Sequence, residues 1–340
     1  MILPNGHSTQ YLNDYKDGKI QMGLGIDNPV DEYLRWKPKQ LNIVLGHDNV
    51  GKSYFMEWYF LTLSTIHDIK HTIWMGENSS GQVMRDLIQM YVGKPFCDLS
   101  YKEIRRAEVK MEHWFSFVDN SKMYTPAQML DIFSKTDAQN YFIDPFTGLD
   151  RGMTHADNYE FLNSARQFCN QTKKTIYIST HPNSESGRAS MIYPEKHEWA
   201  GHLRAPLKAH IEGGKPFLNR CDDMIVVHRL VKHAELFKFT MIDVEKVKDR
   251  DTGGKQTQLN VPIMFDYNFG LGFKVCGLDP MKRPNMIPIQ QQIEIAEREQ
   301  QIEQIKVKEA YANVNLTPDK SDFDQEITEY EKNKPDDVPF

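Results

Sequence analysis

The stretch LNIVLGHDNVGKS, residues 41–53, decides the fold class of this chain of 340 residues. It joins an apolar run of strand length to the pattern GxxxxGK[ST], and a helix-like segment follows. In such a loop, glycines let backbone N–H groups curl around a phosphate, a lysine reaches the β- and γ-phosphate oxygens, and a serine hydroxyl holds Mg²⁺. The sequence therefore predicts a magnesium-dependent site for ATP or another NTP or dNTP, built from Gly46, Asn49, Val50, Gly51, Lys52, Ser53 and Tyr54.

Five apolar runs of strand length, including the one before this loop, occur along the sequence. They lie at residues 41–45, 71–76, 141–144, 175–180 and 223–229, and amphipathic helix-like segments separate the first four. Nearly continuous apolar strands that alternate with helices are typical of a parallel sheet covered on both faces. We therefore predict an α/β core with a mostly parallel, twisted sheet.

Three polar residues follow these strands directly, namely Glu77, Asp144 and His181. The carboxyl ends of parallel strands meet at one edge of a sheet, so these side chains are expected beside the nucleotide. Phosphoryl transfer with a metal needs one carboxylate near the metal and another to activate water. Asp144 is the candidate to hold Mg²⁺ with Ser53. Taken singly, each residue has an ordinary alternative: a turn residue, a carboxylate at a helix start, or a structural histidine.

The composition is that of a globular protein without membrane segments. The chain has 41 Lys and Arg against 47 Asp and Glu, with 40% hydrophobic residues. No apolar run approaches the ~18 residues needed to cross a bilayer, and the first residues do not resemble a signal peptide. The four cysteines stand far apart, which argues against a disulfide framework or a zinc site. We expect a cytoplasmic protein.

The sequence divides into four regions. Residues 1–28 are polar and aperiodic and predict an arm or linker. The core follows over 29–280 and starts with a short helix that has Pro29 in its first turn. Residues 281–314 predict a polar helical extension, and residues 315–340 an acidic disordered tail. The last 60 residues hold 13 acidic and 8 basic residues, so most of the net negative charge lies there.

In this order, the motifs resemble the RecA-like core of the superfamily 4 replicative DNA helicases of the DnaB and Twinkle type. The segments that carry the resemblance are LNIVLGHDNVGKS, WMGENSSGQVMRDLIQMYVGKP, YFIDPFTGL, TIYISTHPN, and GGKPFLNRCDDMIVVHR with VEKVKDRDTGG. They cover residues 28–275, and their order is more specific than any single motif. The resemblance is to a phage type without a fused primase domain.

The resemblance implies a role for each strand-end residue. Glu77 would polarise the attacking water, Lys52 would contact the phosphates, and Asp144 and Ser53 would hold Mg²⁺. His181 would sense the γ-phosphate and couple its loss to DNA movement. These roles describe phosphoryl transfer at a nucleotide bound between subunits.

In this family a strand near the end of the core donates a Lys and an Arg to the nucleotide of the next subunit. Lys246, Lys248 and Arg250 are spaced by two, which predicts one face of a strand. The family's Arg position is occupied here by Lys248, and lysine cannot make the planar bidentate contact of arginine. Three interpretations stay open: Arg250 acts in a shifted register, the motor is slower, or the three residues form a solvated basic edge.

The segment from Trp199 to Arg220 is basic and contains glycines. In the resembling proteins the corresponding loop faces the central channel and binds the phosphates of one strand. This implies a sequence-independent single-stranded DNA contact through Arg204, Lys208, His210, Lys215 and Asn219, with Arg188 and Lys196 on the same surface. The alternative is a flexible surface loop.

The acidic tail ends in Asp336-Asp337-Val338-Pro339-Phe340. It resembles tails by which replication proteins dock polymerases or single-strand-binding proteins, with Phe340 in an apolar pocket and the carboxylates on basic residues. The alternative is a solubilising tail. A separate primase is expected, since no second catalytic domain fits before the core.

Together these features predict an ATP-dependent DNA helicase, a hexameric homo-oligomeric ring that moves on single-stranded and forked DNA in phage replication, in the host cytoplasm. Two other functions remain open. One is a RecA-like recombinase, which shares the phosphate loop and a Glu near position 77. The other is a nucleotide-switched replication scaffold or loader with weak turnover.

Overall fold

The computed structural model of the chain describes residues 2–152 and 154–282. The predicted helical extension and acidic tail lie outside these ranges, apart from Met281 and Lys282. In the described part the helices are α1 Thr9–Lys16, α2 Lys52–His67, α3 Ser80–Val92, α4 Tyr101–Trp114, α5 Pro126–Ser134, α6 His155–Thr172 and α7 Lys215–Arg220. The strands are β1 Leu41–Leu45, β2 His71–Met75, β3 Phe115–Phe117, β4 Asn140–Asp144, β5 Thr175–Thr180, β6 Met224–His228, β7 Phe239–Lys246, β8 Ile263–Tyr267 and β9 Phe273–Lys274.

All of these strands form one sheet in the order β3-β2-β4-β5-β1-β6-β7-β8-β9. The pairs from β3 to β6 are parallel, whereas β7, β8 and β9 are antiparallel to their neighbours. The five predicted strands agree with β1, β2, β4, β5 and β6, and the α/β class with a mostly parallel sheet is confirmed. The antiparallel extension is new information from the structure.

Two apolar cores lie on the two faces of the sheet. Helices α2, α3 and α4 cover one face, where Val44, Phe142 and Tyr177 are buried. Helices α5, α6 and α7 cover the other, where Ile43 and Ile143 are buried. Every residue of the central strands is buried, which is why these strands read as continuous apolar runs rather than alternating ones.

The N-terminal region combines an exposed helix with a segment that joins the core. Helix α1 has no buried residue. A 3₁₀ turn at Pro29–Glu32 begins where the predicted short helix was expected, with Asn28 as its N-cap. Trp36 then pairs with Leu24 in an antiparallel bridge, and its indole N–H donates to Asn140 Oδ1 at 3.1 Å. No helix among the described residues is long and apolar enough to span a membrane.

Two glycines allow the loop between β1 and α2 to form. Gly51 has φ +87° immediately before α2, a left-handed conformation that side chains rarely adopt. Gly46 lies so close to β6 that a Cβ atom would be 2.4 Å from the carbonyl oxygen of Val227. The loop therefore lies tightly against the carboxyl end of the neighbouring strand.

Candidate nucleotide site and its surroundings

A cleft of about 730 Å³ opens at the carboxyl edge of the parallel strands. The loop contributes Lys52 and Ser53 to its lining, and the ends of β2, β4 and β5 contribute Glu77, Asp144 and His181. The structure thus brings together the residues that the strand-end argument selected. Asn49, Gly51 and Tyr54 also line the cleft, while Val50 is buried in the apolar core.

Lys52 lies at the centre of the loop. Its ammonium group donates to the carbonyl oxygens of Gly46 at 2.8 Å and His47 at 2.9 Å, and it lies 3.4 Å from Nδ1 of His181. Burial lowers the pKa of Lys52, and the nearby carboxylates of Asp144, Asp48 and Glu77 oppose that shift. A partly desolvated cation gains strongly from an anionic ligand, so this amine is suited to a phosphate.

Ser53 and Asp144 connect the phosphate loop to the end of β4. The Ser53 hydroxyl donates to Oδ2 of Asp144, which is only 5% exposed at the end of its strand. Magnesium is commonly held by one or two protein oxygens together with phosphate oxygens and water. This hydroxyl and carboxylate therefore fit a magnesium ion bound with a nucleotide.

Glu77 is exposed, and its carboxylate has no hydrogen bond or ion pair to another described residue. Asn120 fixes the backbone on both sides of it by donating to the carbonyl oxygens of Met75 at 2.9 Å and Asn78 at 2.8 Å. The N-cap Ser79 then starts α3. A fixed turn thus presents a carboxylate that is free to accept a proton from water.

His181 connects the loop to the segment that follows β5. Its Nδ1 lies 2.7 Å from Oδ1 of Asp48, in the loop. Its carbonyl oxygen accepts a 3.0 Å hydrogen bond from the backbone N–H of Glu212, and Asn183 N–H donates to the carbonyl oxygen of His210 at 2.6 Å. The two ends of residues 182–212 are therefore paired with each other beside the cleft.

A second link joins the same two regions. Nε2 of His47 lies 3.1 Å from the hydroxyl of Ser186, which also lines the cleft. Burial lowers the pKa of His47, and the charge of Lys52 adds to this effect. His47 thus connects the loop to the 3₁₀ turn Ser184–Gly187.

Glu57 on α2 is a buried acidic residue of the cleft that the sequence patterns did not reveal. It is 3% exposed, and burial raises its pKa to about 8, with the carboxylates of Asp86 and Asp144 adding to the shift. The available signal was a single charged residue within the apolar run YFMEWYF. That pattern indicates a carboxyl facing the core, but the burial that raises its pKa depends on how α2 packs in the fold, and Asp86 from the neighbouring helix adds to the shift.

The prediction that Lys246, Lys248 and Arg250 share one strand face is wrong. Strand β7 ends at Lys246, and the other two residues lie beyond it. The chain leaves the sheet because Asp223 accepts a 3.1 Å hydrogen bond from Lys248 N–H, and Lys37 donates to the carbonyl oxygen of Asp249 at 2.8 Å. These hydrogen bonds take the place of the bonds to β6 that a longer β7 would need.

The three basic side chains have different surroundings. The Lys246 amine donates to the carbonyl oxygens of Leu218 at 2.6 Å and Cys221 at 2.7 Å. Lys248 pairs with Asp222 at 3.2 Å. The Arg250 side chain is exposed and has no partner among the described residues. Because Lys246 pairs with Met224, this group lies at the amino end of β6, a strand length or roughly 15 Å from the cleft edge.

The predicted DNA-binding residues have different surroundings, although Arg204 and Lys208 line the same cavity. The segment predicted as a loop contains a 3₁₀ turn at Lys208–His210 and the helix α7, because Phe217 is buried against α6. Lys208 pairs with Glu245 at 3.7 Å, and Asn219 donates to the Tyr159 hydroxyl at 2.8 Å. Arg204 lines a separate cavity, His210 lies at the base of the segment, and Lys215 starts α7.

Comparison with known proteins places the fold. No family model matches the sequence. The Twinkle homolog protein, chloroplastic/mitochondrial, of Arabidopsis thaliana is 23% identical over 237 residues, which are 64% of this chain and 32% of that protein. The chain thus spans about a third of the length of the curated relative it matches.

Two solved structures share the architecture. One, described as an ATPase domain, has a TM-score of 0.60 at 9% identity, covering 79% of this chain and 99% of that one. The other, a DnaB-like replicative helicase described with its interactions with primase, has a TM-score of 0.62 at 10% identity, covering 80% of this chain and 68% of that one. The chain therefore shares the α/β fold of these two structures, and the predicted resemblance to DnaB and Twinkle proteins is confirmed.

Proposed function

We propose that this protein is an ATP-dependent DNA helicase, which assembles as a hexameric ring, moves along single-stranded DNA and unwinds forked duplex during phage replication. The observation that carries the proposal is the double link from the phosphate loop to residues 182–212, through His181 and His47. A site that only binds nucleotide has no need of two links to a segment that extends away from the cleft.

The hydrolytic step follows from the cleft. Lys52 exchanges its two carbonyl partners for phosphate oxygens, and its lowered pKa reflects how strongly burial favours that anionic partner. Glu77 accepts a proton from water, which then attacks the terminal phosphorus and releases the diphosphate. Ser53 and Asp144 would hold Mg²⁺, which supplies charge neutralisation between the phosphates when bound.

The proposed coupling to DNA uses the paired ends of residues 182–212. Loss of the terminal phosphate frees His181 to strengthen its Nδ1 contact with Asp48. Because Glu212 N–H is bonded to His181, a shift of this residue moves the end of the segment that carries Arg204, Lys208 and His210. We propose these cations, with Lys215 and Asn219 on α7, as contacts to DNA phosphates.

We also propose that the basic group beyond β7 acts on the next subunit. Lys246, Lys248 and Arg250 lie at the opposite edge of the sheet from their own cleft, so they reach only a neighbour's nucleotide. The Arg250 side chain forms no ion pair or hydrogen bond within the described part of the chain, so it is available to a phosphate. Lys248 must first break its ion pair with Asp222. Lys246 then serves mainly to hold α7 against β6.

The regions beyond the core complete the proposal. Residues 1–28 would serve as an arm, residues 281–314 as a helical extension, and the acidic tail with Phe340 as the docking arm for a separate primase, polymerase or single-strand-binding protein. The proposed compartment is the cytoplasm, of the host cell if a phage encodes the chain.

The test is unwinding of a tailed DNA fork by the full chain, with hydrolysis followed in the same samples with and without single-stranded DNA. Lys52→Ala is the inactive variant, and Lys102→Ala, on the exposed face of α4, is the matched control. We expect Lys52→Ala to abolish both activities and Lys102→Ala to keep them.

The other outcomes separate the alternatives. Hydrolysis stimulated by DNA without unwinding favours a RecA-like recombinase. Hydrolysis that is slow and insensitive to DNA favours a nucleotide-switched scaffold or loader. Either result contradicts the helicase proposal.

A further inference from the structure

A second cavity, of about 460 Å³, lies between residues 191–208 and the antiparallel strands. Tyr193, Trp199 and Arg204 line one side of it, and His228 of β6 and Asp243 of β7 line another. Its lining thus combines aromatic faces with polar groups. None of the steps proposed for hydrolysis uses this cavity.

The aromatic wall is built for stacking. The rings of Tyr193 and Trp199 meet edge to face with centroids 5.2 Å apart. The ring of Tyr193 is itself covered, because His197 stacks on it at 4.3 Å and the guanidinium of Arg204 lies 5.1 Å from its centroid. Trp199 is half-buried and so keeps part of its ring surface accessible. A ring with an accessible face can stack on the flat face of an aromatic ligand, largely whatever that ligand's substituents are.

The polar side contains a histidine without a well-aligned partner. His228 is 3% exposed, and neither ring nitrogen has a hydrogen bond in good geometry to a described residue. Burial and the nearby charge of His47 lower its pKa to about 4, against a smaller opposing effect from the Leu203 backbone. A neutral imidazole offers one donor and one acceptor, and leaving both unmade costs free energy.

Asp243 supplies an acceptor beside it. Its Oδ1 accepts a 3.4 Å hydrogen bond from the Thr257 hydroxyl. Burial, with the charge of Glu245, raises the pKa of Asp243 to about 6. A ligand that donates a hydrogen bond would therefore stabilise the Asp243 carboxylate. An anionic ligand would be repelled by it.

We propose that this cavity binds a nucleobase with an exocyclic amino group, stacked on Trp199 and hydrogen-bonded at its edge by His228 and Asp243. A nucleobase is the ligand class with flat apolar faces and mixed donors and acceptors on one edge. In single-stranded DNA the base would be delivered by a strand whose phosphates meet Arg204 and Lys208, so this source rests on the proposed function. A free nucleotide carries the same chemistry.

The first arm of the test compares three oligonucleotides of equal length: oligo-dC, oligo-dT and an abasic strand, each titrated against the full chain by fluorescence anisotropy. We expect oligo-dC to bind at least about fivefold more tightly than the abasic strand, with oligo-dT between them. Trp199→Ala should lose that advantage without changing how steeply the binding constant falls with salt concentration. Lys215→Ala should make that fall less steep. Trp199→Phe, which keeps a ring, should retain most of the advantage.

The second arm separates the two sources of the base. In the Lys52→Ala background, dCMP is titrated while tryptophan fluorescence is followed, and Trp199→Phe in that background isolates the signal of Trp199. Quenching by dCMP but not by deoxyribose 5-phosphate supports a site for free nucleotides even if no single strand binds, in which case only the proposed function fails. Equal binding of oligo-dC and the abasic strand, together with no quenching by dCMP, overturns the proposal.

Discussion

The backbone N–H of Glu212 donates a 3.0 Å hydrogen bond to the carbonyl oxygen of His181, at the point where β5 ends. The adjacent bridge between Pro182 and Ile211 reinforces this contact. The residue nearest the phosphate loop and the far end of residues 182–212 therefore move as one unit. A change at the nucleotide needs no long path to reach that segment.

Replacing His181 with asparagine should uncouple the two sites. The variant loses the ring contact with Asp48 and Lys52 but keeps the backbone bond to Glu212, so the segment stays folded. We expect basal ATP hydrolysis within about threefold of the wild type, while stimulation by single-stranded DNA falls about tenfold or more. Steady-state hydrolysis with and without DNA measures both.

His155→Asn, at the exposed start of α6, is the matched control and should leave the stimulation intact. If His181→Asn retained full stimulation by DNA, the coupling role of this residue would be ruled out.

Glu77→Gln should stop hydrolysis without preventing nucleotide binding. The carboxylate has no hydrogen bond to a described residue, so its loss leaves no buried group unpaired and the fold is kept. Removing a general base typically lowers the rate by about 10²–10⁴-fold. Rapid-quench hydrolysis and equilibrium binding of a fluorescent ATP analogue separate the two effects, and a large loss of binding would point instead to a role in holding the nucleotide.

A mixing experiment tests the proposed action across subunits. Glu77→Gln inactivates the cleft of its own chain, whereas the double variant Lys248→Ala/Arg250→Ala should inactivate the neighbour's. Neither preparation alone should hydrolyse ATP, but mixed rings contain some interfaces with both intact halves. About a quarter of the wild-type rate is expected from equal, random mixing.

Mixing Glu77→Gln with Asp144→Asn is the control, because both changes lie in the same cleft and no mixed interface is complete. Recovery in this control would show that Glu77 or Asp144 acts on the cleft of a neighbouring subunit. Absence of recovery in the first mixture would place the basic group outside the catalytic interface.

Glu57→Gln should change how stability depends on pH. Burial raises the pKa of Glu57 to about 8 in the folded chain, above its ordinary 4.5, so the folded state keeps a proton that the unfolded state releases. Wild-type stability attributable to this group is therefore present below pH 4.5 and is lost as the pH rises toward 8. The side chain of the glutamine variant does not ionise, so its stability does not fall for this reason as the pH rises.

Urea unfolding without nucleotide or magnesium measures this effect at about pH 6 and about pH 8.5. Relative to the wild type, Glu57→Gln should gain about 2–3 kcal/mol over that interval. Glu112→Gln, on the exposed face of α4, should follow the wild type. An equal pH dependence in all three proteins would mean that Glu57 is ionised in the folded state.

The central sheet could be predicted because its strands are buried on both faces. Residues 141–144 are apolar up to Asp144, and that continuity marks both the strand and the edge where the polar side chain emerges. The same geometry explains why Glu77, Asp144 and His181 could be placed together from their positions alone. Parallel strands deliver their carboxyl ends to one edge whatever the details of packing.

Features that depend on contacts distant in sequence could not be predicted. The alternation in VEKVKDR favours a strand through Arg250, but Asp223, 25 residues before Lys248, binds the N–H of that lysine and ends β7. The raised pKa of Glu57 likewise comes chiefly from burial in the folded core, and Asp86 from another helix adds to it. No local pattern contains either interaction.

Because β7 runs antiparallel to β6, one chain displays its cleft at one edge of the sheet and its basic group at the other. When the contact we propose repeats head to tail, it is heterologous, with the cleft of one subunit against the basic group of the next. Each added subunit completes one more site, but an open array always keeps one incomplete cleft at its end. Closing such an array into a ring completes every cleft, which gives the assembly a functional reason to close.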